Sequence, residues 1–207
     1  VLWEGGFLQF EYVKKMFSAF ASGSFSNTSY RRTDYFNYLD TDPNQVTDWV
    51  NFIGYSAKAG ANLNIGKYQN IFANGGYFIR APYFRYVFVN YLNEFNEEVK
   101  HERVYSTEVG YGIRSKYLFT NIIAYRTAWL DKALTKRIAD GTANITGLNA
   151  IHQGIEIEMR IKPTTKLDLS LMLSVGDWKW DSDIEAAIYN EQQEFQDSIT
   201  LYSEGIH

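Results

Sequence analysis

Apolar and polar residues alternate most plainly from Ile151 to Ile161. One parity reads Ile151, Gln153, Ile155, Ile157, Met159, Ile161 and the other His152, Gly154, Glu156, Glu158, Arg160. A period of two predicts a strand with one apolar and one charged face. After the turn-like Lys162-Pro163-Thr164-Thr165-Lys166, the pattern resumes with Leu167, Leu169, Leu171, Leu173 and Val175 against Asp168, Ser170, Met172, Ser174 and Gly176. The same hairpin recurs upstream. Leu2 to Tyr12 turns at 13–15 into Met16 to Arg31, Val50 to Ile65 turns at 66–70 into Ile71 to Arg80, and Arg103 to Ile113 turns at 114–117 into Leu118 to Trp129. These arms are longer than the about 5–6 residues usual in soluble sheets and match the roughly 9–11 that a tilted strand needs to cross a bilayer.

The connections alternate too. Tight turns fall near 14, 68, 115 and 164, while long polar stretches at about 32–49, 81–102 and 130–149 join the hairpins. Short turns at one end and long loops at the other are expected of an outer-membrane β-barrel, whose short turns face the periplasm. The expected class is therefore all-β, an antiparallel transmembrane barrel segment of about eight strands, with residues 1–207 forming part of one barrel domain. Both ends of the chain would then lie on the long-loop side, so this is expected to be an internal piece of a larger barrel. Asp181 to His207 reads as a further external loop, partly helical from Ile184 to Phe195. Trp3, Tyr12, Phe17, Tyr30, Tyr117, Trp129, Trp178 and Trp180 fall near strand ends, where amphipathic rings would form a headgroup girdle.

Composition narrows the classes. Aromatics are 17% of the chain and Tyr outnumbers Phe 16 to 14, which suits strands with wetted ends. The net charge of -4 offers no basic surface for nucleic acid. With no cysteine, disulfide frameworks, zinc-thiolate centres and thiol catalysis are excluded.

Three stretches in order carry a resemblance. They are Gly76-Tyr77-Phe78-Ile79-Arg80-Ala81-Pro82, then Asn96-Glu97-Glu98-Val99-Lys100-His101-Glu102, then Tyr105-Ser106-Thr107-Glu108-Val109-Gly110-Tyr111. Together they resemble the barrel region of TonB-dependent receptors, in which a strand ending Arg-Ala-Pro leads through an outer loop to a Leu-Lys-Pro-Glu-like segment and a strand carrying Glu-x-Gly. His101 stands where Pro is common. Gln153 to Glu158, Lys162-Pro163-Thr164 and Gly176-Asp177-Trp178 are similar to later strands of Bacteroidetes-type members, and the resemblance is best over 71–180. It implies active uptake: a plug fills the barrel, binds ligand from outside and is rearranged by TonB. Neither plug nor TonB-contacting segment lies within these 207 residues. The partners implied are outer-membrane lipid, TonB through the plug, a surface lipoprotein, and a small-molecule or glycan ligand.

Catalytic patterns are missing: no phosphate loop, no zinc-type His spacing, no nucleophile elbow, and His101, His152 and His207 lie far apart. The chain reads as a non-enzyme with no cofactor and no metal site. Asp177, Asp181, Asp183 and Glu185 miss the EF-hand spacing and read as a solvated loop. Candidate residues are therefore binding residues. Lys58, Arg80, Glu108, Arg126, Glu156, Glu158 and Arg160 are expected on the lumenal face, braced against one another or against a plug. The loop after Pro82 carries Tyr83, Phe84, Arg85, Tyr86, Phe88, Tyr91 and Phe95, unusually apolar for an exposed connection. Those rings could stack on a ligand, seat a lipoprotein lid, or fold the loop on itself. Two other functions compete with import. A passive porin would have no plug, and a soluble β-rich surface domain would fold in water without detergent.

Overall fold

The computed structural model describes residues 1–88, 92–97, 99–138, 141–189 and 195–207, with the side chains of 135–138, 141–144, 187, 189 and 195 left out. Ten strands lie in one antiparallel sheet: β1 (Leu2–Lys14), β2 (Phe17–Tyr30), β3 (Val50–Ile65), β4 (Gln69–Arg80), β5 (Glu102–Arg114), β6 (Leu118–Ile138), β7 (Gly141–Thr164), β8 (Leu167–Trp180), β9 (Ile184–Tyr189) and β10 (Phe195–Leu201). Strands β1 to β7 are neighbours in chain order. β8 pairs the lower part of β7 and β9 its upper part, so β9 carries on the line of β8 beyond a break at 181–183. Among the described residues the sheet is open, and helix is confined to Phe84–Val87 and a 3-10 turn at Pro43–Gln45.

The short turns stand where the alternation stops. Lys15 (φ 53°) joins β1 to β2, and Gly66 (φ 68°) opens the β3–β4 turn, a left-handed conformation that glycine adopts without a Cβ clash. From β1 to β6 the register runs unbroken for the length of each pair, as from Leu2↔Ser29 to Lys14↔Phe17. Unbroken pairing satisfies each backbone N–H and C=O, which a strand surrounded by hydrocarbon requires.

Register sorts side chains into two faces. Leu8 and Phe10 of β1, Ala57, Ala59, Ala61 and Leu63 of β3, Ile122 and Ala124 of β6, Ile155 and Ile157 of β7, and Leu167 to Val175 of β8 at alternate positions share an apolar face. The row Leu167, Leu169, Leu171, Leu173 and Val175 is exposed along its whole length, about 27 Å of strand at about 3.4 Å per residue. An uninterrupted exposed apolar wall of this size calls for lipid or a partner. Tyr55, Tyr77 and Tyr105 form a ladder on this face, with centroids 6.0 and 4.4 Å apart.

The opposite face is polar, and glycines seat the large rings that interrupt it. Phe20 stands across from Gly60, Phe72 from Gly110 and Tyr125 from Gly154. A Cβ on Gly110 would come within 2.2 Å of the Phe72 ring, and one on Gly60 within 2.5 Å of Phe20. Rings folded flat into these sockets hold neighbouring strands together without projecting far from the wall.

Three expectations change at the long-loop end. Of the stretch 130–149, residues 130–138 continue β6 and residues 141–149 belong to β7, where a loop was expected. Register shifts at Trp129/Lys132 and Lys132/Leu134, with Asp131 at φ 56°, break the period of two and hide the strand from pattern reading. Of Ile184 to Phe195, expected to be partly helical, Ile184–Tyr189 is strand β9, because β7 presents an edge for it at Thr142–Ile145, Phe195 opens β10, and 190–194 lie outside the described residues. The girdle is mostly misplaced: Trp3, Tyr30, Trp129, Trp178 and Trp180 lie on the polar face, and Tyr117 is in a turn. Tyr12 and Phe17 alone of the eight share the apolar face, 6.5 Å apart beside the β1–β2 turn.

Candidate functional site

The polar face carries a continuous cross-strand row. Register aligns Phe20, Gly60, Asn74, Glu108, Tyr125, Gly154 and Gly176 on adjacent strands. Asn74 Nδ2 donates to Glu108 Oε1 at 2.6 Å. Trp178, one position further along its face, folds back so that its ring carbons would lie 2.8 Å from a Cβ on Gly176. Its Nε1 donates to Tyr125 Oη at 2.9 Å, which holds the indole against the wall while leaving the residue 45% exposed. Glu156 and Glu158 follow on the same face, exposed and without an ion pair among the described residues.

Other candidates of the polar face are engaged. Arg80 Nε donates to Glu102 Oε2 at 2.8 Å and its Nη2 makes a second, shorter bond; the Glu102 carboxylate is buried. Arg160 Nε contacts both oxygens of Asp168, at 2.8 and 2.9 Å, and Lys162 Nζ lies 3.4 Å from the same carboxylate. This cluster ties β7 to β8 near their short turn. Lys58 Nζ sits 5.1 Å from the Phe78 ring. Arg126 departs from expectation. Its pairing with Thr107 and Gln153 places it on the apolar face with Ile122 and Ala124, beside the Gln153–Asp177 hydrogen bond of 3.2 Å. Counted from Leu118, Arg126 is on the even, apolar parity of β6, which charge alone did not reveal.

The aromatic loop is split by burial. Val87 is 0% exposed and packs with Tyr30, Phe52 and Phe88. Tyr30 Oη donates to the Pro82 carbonyl at 2.9 Å, and Asn96 Nδ2 to the Tyr86 carbonyl at 2.9 Å. The loop thus folds inward on the rim of β2 and β3. Tyr86 is also buried, its hydroxyl accepting from Arg85 Nη2 at 2.6 Å. Tyr83, Phe84, Arg85 and Phe95 stay exposed, with the Arg80 guanidinium 4.7 Å from the Tyr83 ring and Arg85 4.7 Å from that of Tyr86. Tyr91 lies outside the described residues. The loop between β2 and β3 is tied to this cap: Arg32 Nη1 donates to the Leu92 carbonyl at 2.9 Å, and Asn93 Nδ2 to those of Asn44 and Gln45 at 2.8 and 2.7 Å. Asp34 accepts from the Asn37 and Phe36 backbones and the Asn37 amide, and these bonds hold its carboxyl below the ordinary range. Burial lowers the His101 imidazole, against the opposing pull of the Ile53 carbonyl.

In the 181–185 stretch, Asp183 Oδ1 accepts from the Ser203 and Glu204 backbones at 2.8 and 2.9 Å, so it serves as a loop staple.

Long antiparallel hairpins with one exposed apolar and one polar face are built like the wall of an outer-membrane β-barrel. No family model matches the sequence, and no curated protein matches it. Among solved structures the chain is similar to the copper transporter OprC, an outer-membrane barrel, with a TM-score of 0.69 over 88% of this chain at 17% sequence identity. The chain spans 30% of that transporter's length. At this identity the likeness is one of fold, and it agrees with the all-β antiparallel class.

Proposed function

We propose that this chain is barrel wall of an outer-membrane active transporter that binds an extracellular nutrient, siderophore-iron, glycan or similar, and imports it with TonB-derived energy through a plug. The observation that carries the reading is the pairing of an exposed apolar face with a polar face of unpaired carboxylates, in a fold similar to a transporter barrel. The ordered Arg80-Ala81-Pro82 and Glu108-Val109-Gly110 motifs add the TonB-dependent element. Copper is not carried over from the similar transporter. The exposed Leu167–Val175 row disfavours a soluble surface domain, because such a row in water drives aggregation.

The test is whole-cell uptake by the full-length protein of labelled iron chelates and oligosaccharides, with and without TonB. Uptake that collapses without TonB supports active import. Uptake indifferent to TonB overturns it in favour of a passive porin.

A further inference from the structure

We infer that Trp178, Tyr125 and Glu156 form a stacking subsite for a neutral, hydroxyl-bearing ring, a saccharide unit, on the polar face of the wall. The inference rests on the import reading for its setting and on the following geometry for its chemistry.

The indole of Trp178 is held in place from two sides. Gly176 and Gly154 leave the space into which it folds: a Cβ on Gly176 would meet its ring carbons at 2.8 Å, and one on Gly154 would meet Tyr125 Oη at 3.1 Å. The bond from Nε1 to Tyr125 Oη at 2.9 Å then fixes the ring's rotation. A flat, immobilised and 45% exposed indole offers a π face at little entropic cost, which suits the apolar C–H face of a sugar ring. No apolar cluster packs over it among the described residues.

Directional groups surround the ring. Tyr125 Oη accepts from Trp178, so its own hydrogen remains to be donated, and no acceptor for it occurs among the described residues. Glu156 lies one same-face step from the Gly154–Gly176 rung, about 7 Å along the strand, and carries an unpaired carboxylate. Glu108 faces Tyr125 across the sheet, oriented by Asn74. A donor and two acceptors beside a ring platform match the hydroxyls of a saccharide. The same carboxylates repel anions, which separates this assignment from an anionic ferric chelate.

The experiment uses purified full-length protein in detergent, titrated calorimetrically with maltohexaose, cellohexaose, xylohexaose, mannohexaose and laminarihexaose. At least one is expected to bind saturably. Trp178→Ala should weaken it about tenfold or more, Trp178→Phe less, and Gly176→Val, which pushes the indole off its seat, about as much as Trp178→Ala. Tyr68→Ala, at an exposed ring in the short β3–β4 turn, should leave binding unchanged. Heat-modifiable gel migration confirms that each variant retains its barrel. Absence of binding by all five sugars, or binding indifferent to Trp178→Ala in a folded barrel, overturns the assignment. Binding does not require TonB, so sugar that binds at Trp178 but enters cells equally without TonB would sustain the subsite and overturn active import.

Discussion

Two caps stand at the long-loop end, and they are built by opposite means. Over β2–β4, the described residues between Ala81 and His101 lie outside the strands, and Val87 and Phe88 are buried against Tyr30 and Phe52. The carbonyls at Pro82, Tyr86 and Leu92 are met by side chains of Tyr30, Asn96 and Arg32. Over β6–β9, the ladder itself continues past the wall, and Ile145, Leu148, Ile184 and Ala186 form the core with Leu134, Trp180 and Leu201 packed around it. There the bulge at Asp131 is stapled by Arg103 Nε at 2.9 Å and by Asn149 Oδ1, which accepts from the Asp131 N–H at 3.1 Å. Every buried backbone group needs a partner, and a chain that leaves the ladder must find one in side chains. The inner cap therefore depends on a few named residues, whereas the outer arm depends on length of pairing.

That difference makes the inner cap the more fragile. Val87→Asp, a charge at a fully buried position, should cost about 3–5 kcal/mol locally and release the cap from the rim. Hydrogen exchange of the full-length protein should rise across 82–97 while β6 and β7 keep their protection; coordinated loosening of both caps would mean that they form one unit. Ile145→Ala should cost about 2 kcal/mol, the low end for a small core, and should speed exchange at the arm without unpairing it. Exchange that spreads below the Asp131 bulge into β6 and β7 would contradict the bulge as a boundary. Smaller again is Asn93→Ala. It removes two bonds to the β2–β3 loop and should cost about 1 kcal/mol, read as faster proteolysis within 34–48 and little change in 82–88.

The wall was legible in the sequence because period-two alternation survives wherever register is unbroken: Val50–Ile65 and Leu167–Trp180 begin and end as the pattern predicts. It failed where register slips. The strand through 130–138 was hidden by its bulge, and Ile184–Tyr189 by alanines and a glutamate that suit a helix until an edge strand captures them. Arg126 shows a second limit: charge suggests a lumenal place, but parity decides it.

For the site, the sequence supplied Glu108, Glu156 and Glu158 as polar-face carboxylates, yet assigned Trp178 to a girdle. The signal was present in Gly176-Asp177-Trp178, where a glycine two positions before a tryptophan leaves a seat for its ring. Reading it needed the partner strand as well, since Tyr125 and Gly154 come beside Trp178 only through pairing across 24 to 53 residues of sequence.

Acidification gives the gentlest test of the two caps, because the titrating groups in question belong to the inner one. His101 packs edge-on to Phe52 at 5.5 Å, and burial lowers its pKa. The unfolded cap binds the proton more readily than the folded one, so this stability is present above the unfolded value of about 6.5 and erodes as pH falls below it. Asp34 shares that preference for the deprotonated form, which for a carboxyl is the charged one, and the outcome is the same. Its bonds from Asn37 and Phe36 depress its carboxyl, so the stability it confers is complete above the unfolded value of about 3.9 and disappears as pH falls through the folded one. Exchange in 82–101 should therefore begin to quicken between pH 7 and 5, and exchange in 32–37 only below about pH 4, with the β6–β7 arm unchanged in the first window. His101→Gln should abolish the first step and leave the second. If the arm loosens together with 82–101 near pH 6, the caps are coupled through β5, and the contrast between a side-chain-built cap and a ladder-built one fails as an account of their stability.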